Sequence, residues 1–228
     1  MKFNYINFLF AAFLLVTILS CKDESLNPIP VWEPGVRGWG HGPVVVTAGD
    51  KFAGENFSAT DLAKVSPIKF RWISHDGKIT INKVEFYFFF DEIYKDRDGN
   101  FPTVRHAGSY GGGEGGKLWK TIEGSALGAN DVDIDLSVSQ ADVYNVFKDA
   151  TYDYKGDPAI GAVKVFENPE RTKRTAAAPF IADGARSDKF RISWKLYATN
   201  GRVYDSFGDG VCAEELPLGN CFETWSIK

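Results

Sequence analysis

The chain has 228 residues, with 26 Lys and Arg against 30 Asp and Glu for a net charge of −4, and 14% of it is aromatic. The acidic balance offers nothing that would draw nucleic acid or anionic lipid, while 18 Phe, 9 Tyr and 6 Trp favour strands over helices. A chain of this length buries a substantial core as one large domain or two small ones.

Met1 and Lys2 precede an almost unbroken apolar run from Phe8 to Leu19, and Ser20 and Cys21 follow it. That is the layout of an export signal. The run of about a dozen residues falls short of the ~20 that a spanning helix needs, so a permanent membrane span is the weaker reading. Ile18-Leu19-Ser20-Cys21 resembles a bacterial lipobox, although Leu19 stands where a small residue is more usual. The alternative is an ordinary secretory cut beside an incidental cysteine. The abrupt change to Lys22-Asp23-Glu24-Ser25, a solvated stretch with no core pattern, favours the lipid reading. Residues 1–20 are then removed and Cys21 becomes the lipid-bearing first residue. Loss of Lys2 leaves the mature chain one unit more negative. Its acyl chains hold it on a membrane, expected to be the outer membrane at the cell surface, without crossing it.

Pro28, Pro30 and Pro34 lie among Gly and charged residues, which predicts a semi-rigid stalk over residues 21–40. A single domain is expected over 41–228. Pro67 to Ser74 places Ile68, Phe70 and Trp72 on one side and Lys69 and Arg71 on the other. Asp76-Gly77 then predicts a tight turn into Ile79 to Tyr94, the two segments forming a hairpin. Further strands are expected at Val44 to Thr47, Leu118 to Ile122, Val132 to Val138 and Phe222 to Ile227. Ser139 followed by Asp142 predicts a capping box opening a helix of about three turns, with Val143, Tyr144, Val146 and Phe147 on its apolar stripe. Lys155 to Ser187 has no strong period and reads as a long connection. Lys189 to Thr199 alternates again, Asn200-Gly201 turns the chain, and Arg202 to Phe207 returns as a second hairpin. Several short strands between turn signals predict an antiparallel, immunoglobulin-like β-sandwich with one short helix.

Cys212 and Cys221 are the cysteines that remain after the anchor, and in an oxidising compartment a close pair near a loop is expected to close. On the chain-entropy account such a bridge contributes about 2.5 to 3 kcal/mol. Two cysteines with no histidine nearby do not make a structural zinc site.

The motifs that suggest chemistry fail on inspection. Gly111 to Lys117 almost spells a phosphate-binding loop, but Leu118 stands where Ser or Thr must hold magnesium, and Glu114 would aim a negative charge into the anion nest. Asp96 to Asn100 imitates a calcium loop until Phe101 takes the place of the required Gly and Ala107 that of the bidentate Glu. A polar turn accounts for it, and an irregular calcium site is the alternative. Asp131, Asp133 and Asp135 alternate with Val132, Ile134 and Leu136, as on the solvated face of a strand, where stacked carboxylates also discourage edge pairing. With three His and no glycine-framed serine, no catalytic set emerges, and neither metal nor cofactor is expected.

Aromatic parity is the functional signal. Trp72 and Trp194 fall on apolar faces and belong to the core. Tyr87 and Phe89 instead share a face with Lys83, Glu85 and Asp91, opposite Val84, Phe86, Phe88 and Phe90. Trp119 shares its face with Lys117, Thr121 and Glu123, close to Tyr110 and the glycine run. Trp119, Tyr110, Tyr87 and Phe89 are therefore the candidate ligand-binding residues, since exposed rings rimmed by polar groups grip sugars and partner proteins. Coverage of that face by a long connection is the competing account.

Cys21 with Lys22-Asp23-Glu24, the hairpin from Trp194 to Tyr204 and the closing cysteine pair resemble the small outer-membrane lipoproteins associated with starch-utilisation (Sus) type uptake systems, which pair a TonB-dependent porin with a substrate-capture lipoprotein. The resemblance implies an accessory, glycan-binding component of carbohydrate uptake, with oligosaccharide and that porin pair as partners. No residue of the family's binding sites maps onto this chain. A structural or assembly lipoprotein docking another outer-membrane protein is the second reading, and a glycoside hydrolase trails.

Overall fold

A computed structural model describes residues 35–41, 57–58, 61–96, 98–106, 116–154, 162–167, 180, 182–183, 186–205 and 223–226. The signal segment, the Val44 to Thr47 strand, Tyr110 and all three cysteines lie outside them.

The described chain is mainly β, with antiparallel sheets stacked as a sandwich. One sheet has three strands in the order β1 (Val36–His41), β2 (Val65–Ser74) and β6 (Ile134–Ser139). The other is built on a long central pair, β3 (Ile81–Ile93) and β11 (Lys189–Ala198), which stay in register from Lys189 opposite Asp91 to Tyr197 opposite Lys83. Each outer edge of that pair carries two strands end to end. On β3 these are β4 (Thr103–His106) and β5 (Lys117–Glu123); on β11 they are β12 (Val203–Asp205) and β13 (Glu223–Ser226). Two short hairpins pair β7 (Thr151–Asp153) with β8 (Ala162–Lys164) and β9 (Ala182–Asp183) with β10 (Arg186–Ser187); β8, β9 and β10 fall inside Lys155 to Ser187, expected to be mostly a long connection, and β7 just before it.

Alternation explains the core. Ile68, Phe70 and Trp72 of β2 turn inward, as do Val84, Phe86, Phe88 and Phe90 of β3 and Phe190, Ile192, Trp194 and Leu196 of β11. The two sheets meet where the Phe70 ring stands edge-on to Phe86 at 4.9 Å and to Trp194 at 5.2 Å. Each such ring contributes about 1.5 to 3 kcal/mol by leaving water. Gly38 on β1 lies against the Trp194 indole and Phe70, and a Cβ there would collide with both.

Two expectations need correction. The first is the hairpin around Asp76-Gly77. Gly77 has the expected left-handed φ of 69° and its N–H donates to Ser74 O at 3.2 Å, but β2 and β3 belong to different sheets. Both edges of β2 are taken by β1 and β6, and both edges of β3 by β11 and the β4/β5 pair. The turn is therefore an arch between layers. The second is the stalk boundary, because residues 36–40 are strand, paired from Val36 opposite Ser74 to Gly40 opposite Phe70. The Asn200-Gly201 hairpin stands as expected, with Leu196 opposite Tyr204.

The single described α-helix, α1 (Gln140–Phe147), opens on the predicted box: the Ser139 hydroxyl accepts from Asp142 N at 3.1 Å while Ser139 N donates to the Asp142 carboxylate at 2.9 Å. With 8 residues it is nearer two turns than three. Val143 and Phe147 bury its inner stripe, and Gln140 clasps residue 58, its amide donating to Ser58 O at 2.5 Å and accepting from Ser58 N at 3.0 Å.

Candidate functional site

The face of the six-stranded sheet opposite the core carries Lys83, Glu85 and Tyr87 of β3 beside Lys195 and Tyr197 of β11, with Glu85 directly across from Lys195 and Lys83 across from Tyr197. Glu85 is the hub. Tyr87 and Tyr197 each donate a hydroxyl hydrogen bond to its Oε2 at 2.5 Å, and Lys83 Nζ donates to Oε1 at 2.8 Å. The Lys83 ammonium also lies 3.8 Å from the centre of the Tyr197 ring, and that of Lys195 lies 5.5 Å from the Tyr87 ring while pairing with Asp205 at 3.3 Å.

These contacts set the charges. Burial works against ionisation of Glu85, but hydrogen bonds from Lys83, Tyr197 and Tyr87 outweigh it and hold the carboxyl at about 2. Burial and the hydrogen bond to Glu85 both push the Tyr87 and Tyr197 hydroxyls above their ordinary range, so both rings stay neutral donors. The Lys83 ammonium is held charged, first by its hydrogen bond to Glu85. The result is two tyrosines fixed on one carboxylate, preorganised for stacking or hydrogen bonding.

Of the residues expected to bind a ligand, Tyr87 alone is described in this cluster. Phe89 is a correction: although on the same side of β3 as Tyr87, it is only 2% exposed and offers no open ring. Trp119 is another. The ladder slips between Phe86, opposite Lys120, and Tyr87, opposite Leu118, so Trp119 is the extra residue of a bulge. The slip turns its indole inward to stack on Phe88 at 4.7 Å, against the core, and leaves Leu118 52% exposed instead. Tyr197 and Lys195 were missed, yet the alternation over Lys189 to Thr199 puts both on the side away from Phe190, Ile192, Trp194 and Leu196.

Other polar clusters are structural in character. Along the same face Arg105 grips Asp91 through two contacts of 2.5 and 2.7 Å, fastening β4 to β3. On the inner side the wholly buried Glu92 meets His106 Nε2 at 2.7 Å and accepts from the Tyr154 hydroxyl at 2.8 Å. On the three-stranded sheet Arg71 lies 4.2 Å from the Trp39 ring and bridges Asp131 at 2.9 Å and Asp133 at 3.1 Å, so two of the three alternating aspartates are paired. The calcium-like turn closes on itself, the Asp96 carboxylate accepting from Asn100 N at 2.6 Å and from its amide at 3.1 Å.

The fold and face define an antiparallel β-sandwich with a charged, tyrosine-bearing outer surface. No protein-family profile matches the chain, and no curated protein does. A solved structure of a DUF4466 family protein from Parabacteroides merdae is similar over 76% of this chain and 43% of that one, at 9% identity and a TM-score of 0.29. The chain thus spans less than half of that protein, and a likeness this distant carries no argument about function.

Proposed function

We propose that the protein is a lipid-anchored component of the outer-membrane surface that holds glycan for a carbohydrate-uptake system, with the Glu85–Tyr87–Tyr197 face as its binding surface. The observation that carries this reading is the tyrosine pair fixed on one carboxylate and flanked by Lys83 and Lys195. Such a surface offers rings for the apolar faces of sugars and fixed charges for their hydroxyls. The lipobox-like segment at Cys21 and the resemblance to uptake-associated lipoproteins supply the setting, in which a TonB-dependent porin and its capture lipoprotein are the neighbours. A shallow face gives modest affinity, with dissociation constants between about 1 μM and 1 mM.

A second reading, docking onto another outer-membrane protein, is favoured by Leu118 and Val203, 52% and 51% exposed at the two edges of the same sheet. Fractionation and titration together test the proposal. The wild type partitions with outer membranes and Cys21→Ser becomes soluble, and an oligosaccharide panel yields at least one ligand whose binding Tyr197→Ala weakens. Loss of a co-purifying porin on Leu118→Asp, with no glycan bound, would instead establish the docking reading.

A further inference from the structure

Resting on the glycan reading, we propose that the sugar this face takes is anionic, a uronate or sulfated residue seated at the Tyr87–Tyr197 end of the sheet. Alternation puts Lys189, Arg191, Ser193, Lys195 and Tyr197 of β11 on this side, but Ser193 is 1% exposed and Phe89, opposite Arg191, is 2% exposed, so the open part of the face is the end that carries Lys83, Tyr87, Lys195 and Tyr197. Three of the acids beside them already hold donors, and a fourth, the exposed Glu123 of β5, lies opposite Lys83. Glu85 accepts three, Asp91 is gripped by Arg105 with Arg191 4.0 Å away, and Asp205 pairs with Lys195.

The tyrosine rings sharpen the selection. Lys83 covers Tyr197 and Lys195 approaches Tyr87, so a sugar that stacks on either ring must move an ammonium off it. A neutral sugar returns nothing to that ammonium. An acidic sugar offers it a carboxylate or sulfate oxygen while its own ring takes the tyrosine face. Lys83 and Lys195 thereby become specificity-determining residues.

The test is calorimetric titration of the full chain in detergent with matched pairs: oligogalacturonate against its carboxyl-reduced form, and dextran sulfate against dextran. The expected result is that at least one anionic member binds tenfold or more tighter than its neutral partner. Half-molar salt should close most of the gap, because it screens charges beyond a few ångströms. The pair showing the gap identifies carboxylate or sulfate as the group recognised, and Lys195→Met, checked for folding by its melting curve, should narrow it. Equal or tighter binding of the neutral members overturns the inference and leaves the glycan reading standing. Binding of neither member in both pairs counts against both.

Discussion

Tyr87 and Tyr197, on neighbouring strands and four register positions apart, deliver their hydroxyls to the same oxygen of Glu85, each at 2.5 Å. Together with Lys83 they hold the Glu85 carboxyl at about 2, well below its ordinary 4.5. A depressed acid stabilises the fold fully above the unfolded value, and that contribution is lost as pH falls from about 4.5 to about 2. For this partly exposed network it amounts to about 1 to 2 kcal/mol after screening by solvent. Urea unfolding at pH 6 should therefore show Glu85→Gln destabilised by that amount. At pH 2.5 the difference should shrink to a small remainder. An undiminished difference at pH 2.5 would show that Glu85 is not ionised in this network.

Trp119 and Tyr197 should respond in opposite ways to truncation. Trp119 stacks on Phe88 against the core, so Trp119→Ala leaves a cavity and costs about 2 to 4 kcal/mol. Tyr197→Ala acts on the solvent side and should lower stability by about 1 kcal/mol, mostly through its lost hydrogen bond. Melting curves of the two variants decide it. A Trp119→Ala protein as stable as wild type would mean that its ring is not part of the core.

Parity explains both what was legible and what was not. The period-2 pattern identified β2, β3, β11 and the Asn200-Gly201 hairpin correctly, because burial on one face dictates alternation. It failed at Trp119, where one bulged residue shifts every later side chain to the other face and nothing in the sequence marks the slip. It failed differently at Asp76-Gly77, since turn chemistry reports a local reversal and not which strand the chain pairs with afterwards. Phe89 has the polar-face parity of Tyr87 yet is buried, and burial of an outward residue depends on distant chain that a local pattern does not contain.

The two strands on each outer edge of the sheet run in the same direction along one partner, so each pair is a single edge strand with an insertion. His106 lies opposite Phe90 and Lys117 opposite Phe88, which brings the ends of residues 107–116 to neighbouring ladder positions. Replacing 108–114 by two glycines should therefore leave the fold intact, with stability changed by less than about 1 kcal/mol, because loop-closure entropy varies slowly with length. Circular dichroism and a melting curve of the shortened chain check this. Loss of the β signal would show that the insertion is part of the core. The analogous segment between β12 and β13 contains Cys212 and Cys221. Non-reducing peptide mapping should recover these two cysteines as one linked pair, and two freely alkylated thiols in native protein would reject the bridge.

The central claim is that the Glu85–Tyr87–Tyr197 face binds glycan, and side-by-side titration of wild type and Tyr197→Ala with the tightest oligosaccharide of a panel tests it most directly. The account predicts a wild-type dissociation constant between about 1 μM and 1 mM, weakened tenfold or more in Tyr197→Ala while Trp119→Phe, which keeps a ring inside the core, binds as wild type does. A Tyr197→Ala protein that remains folded and binds with unchanged affinity would contradict the account.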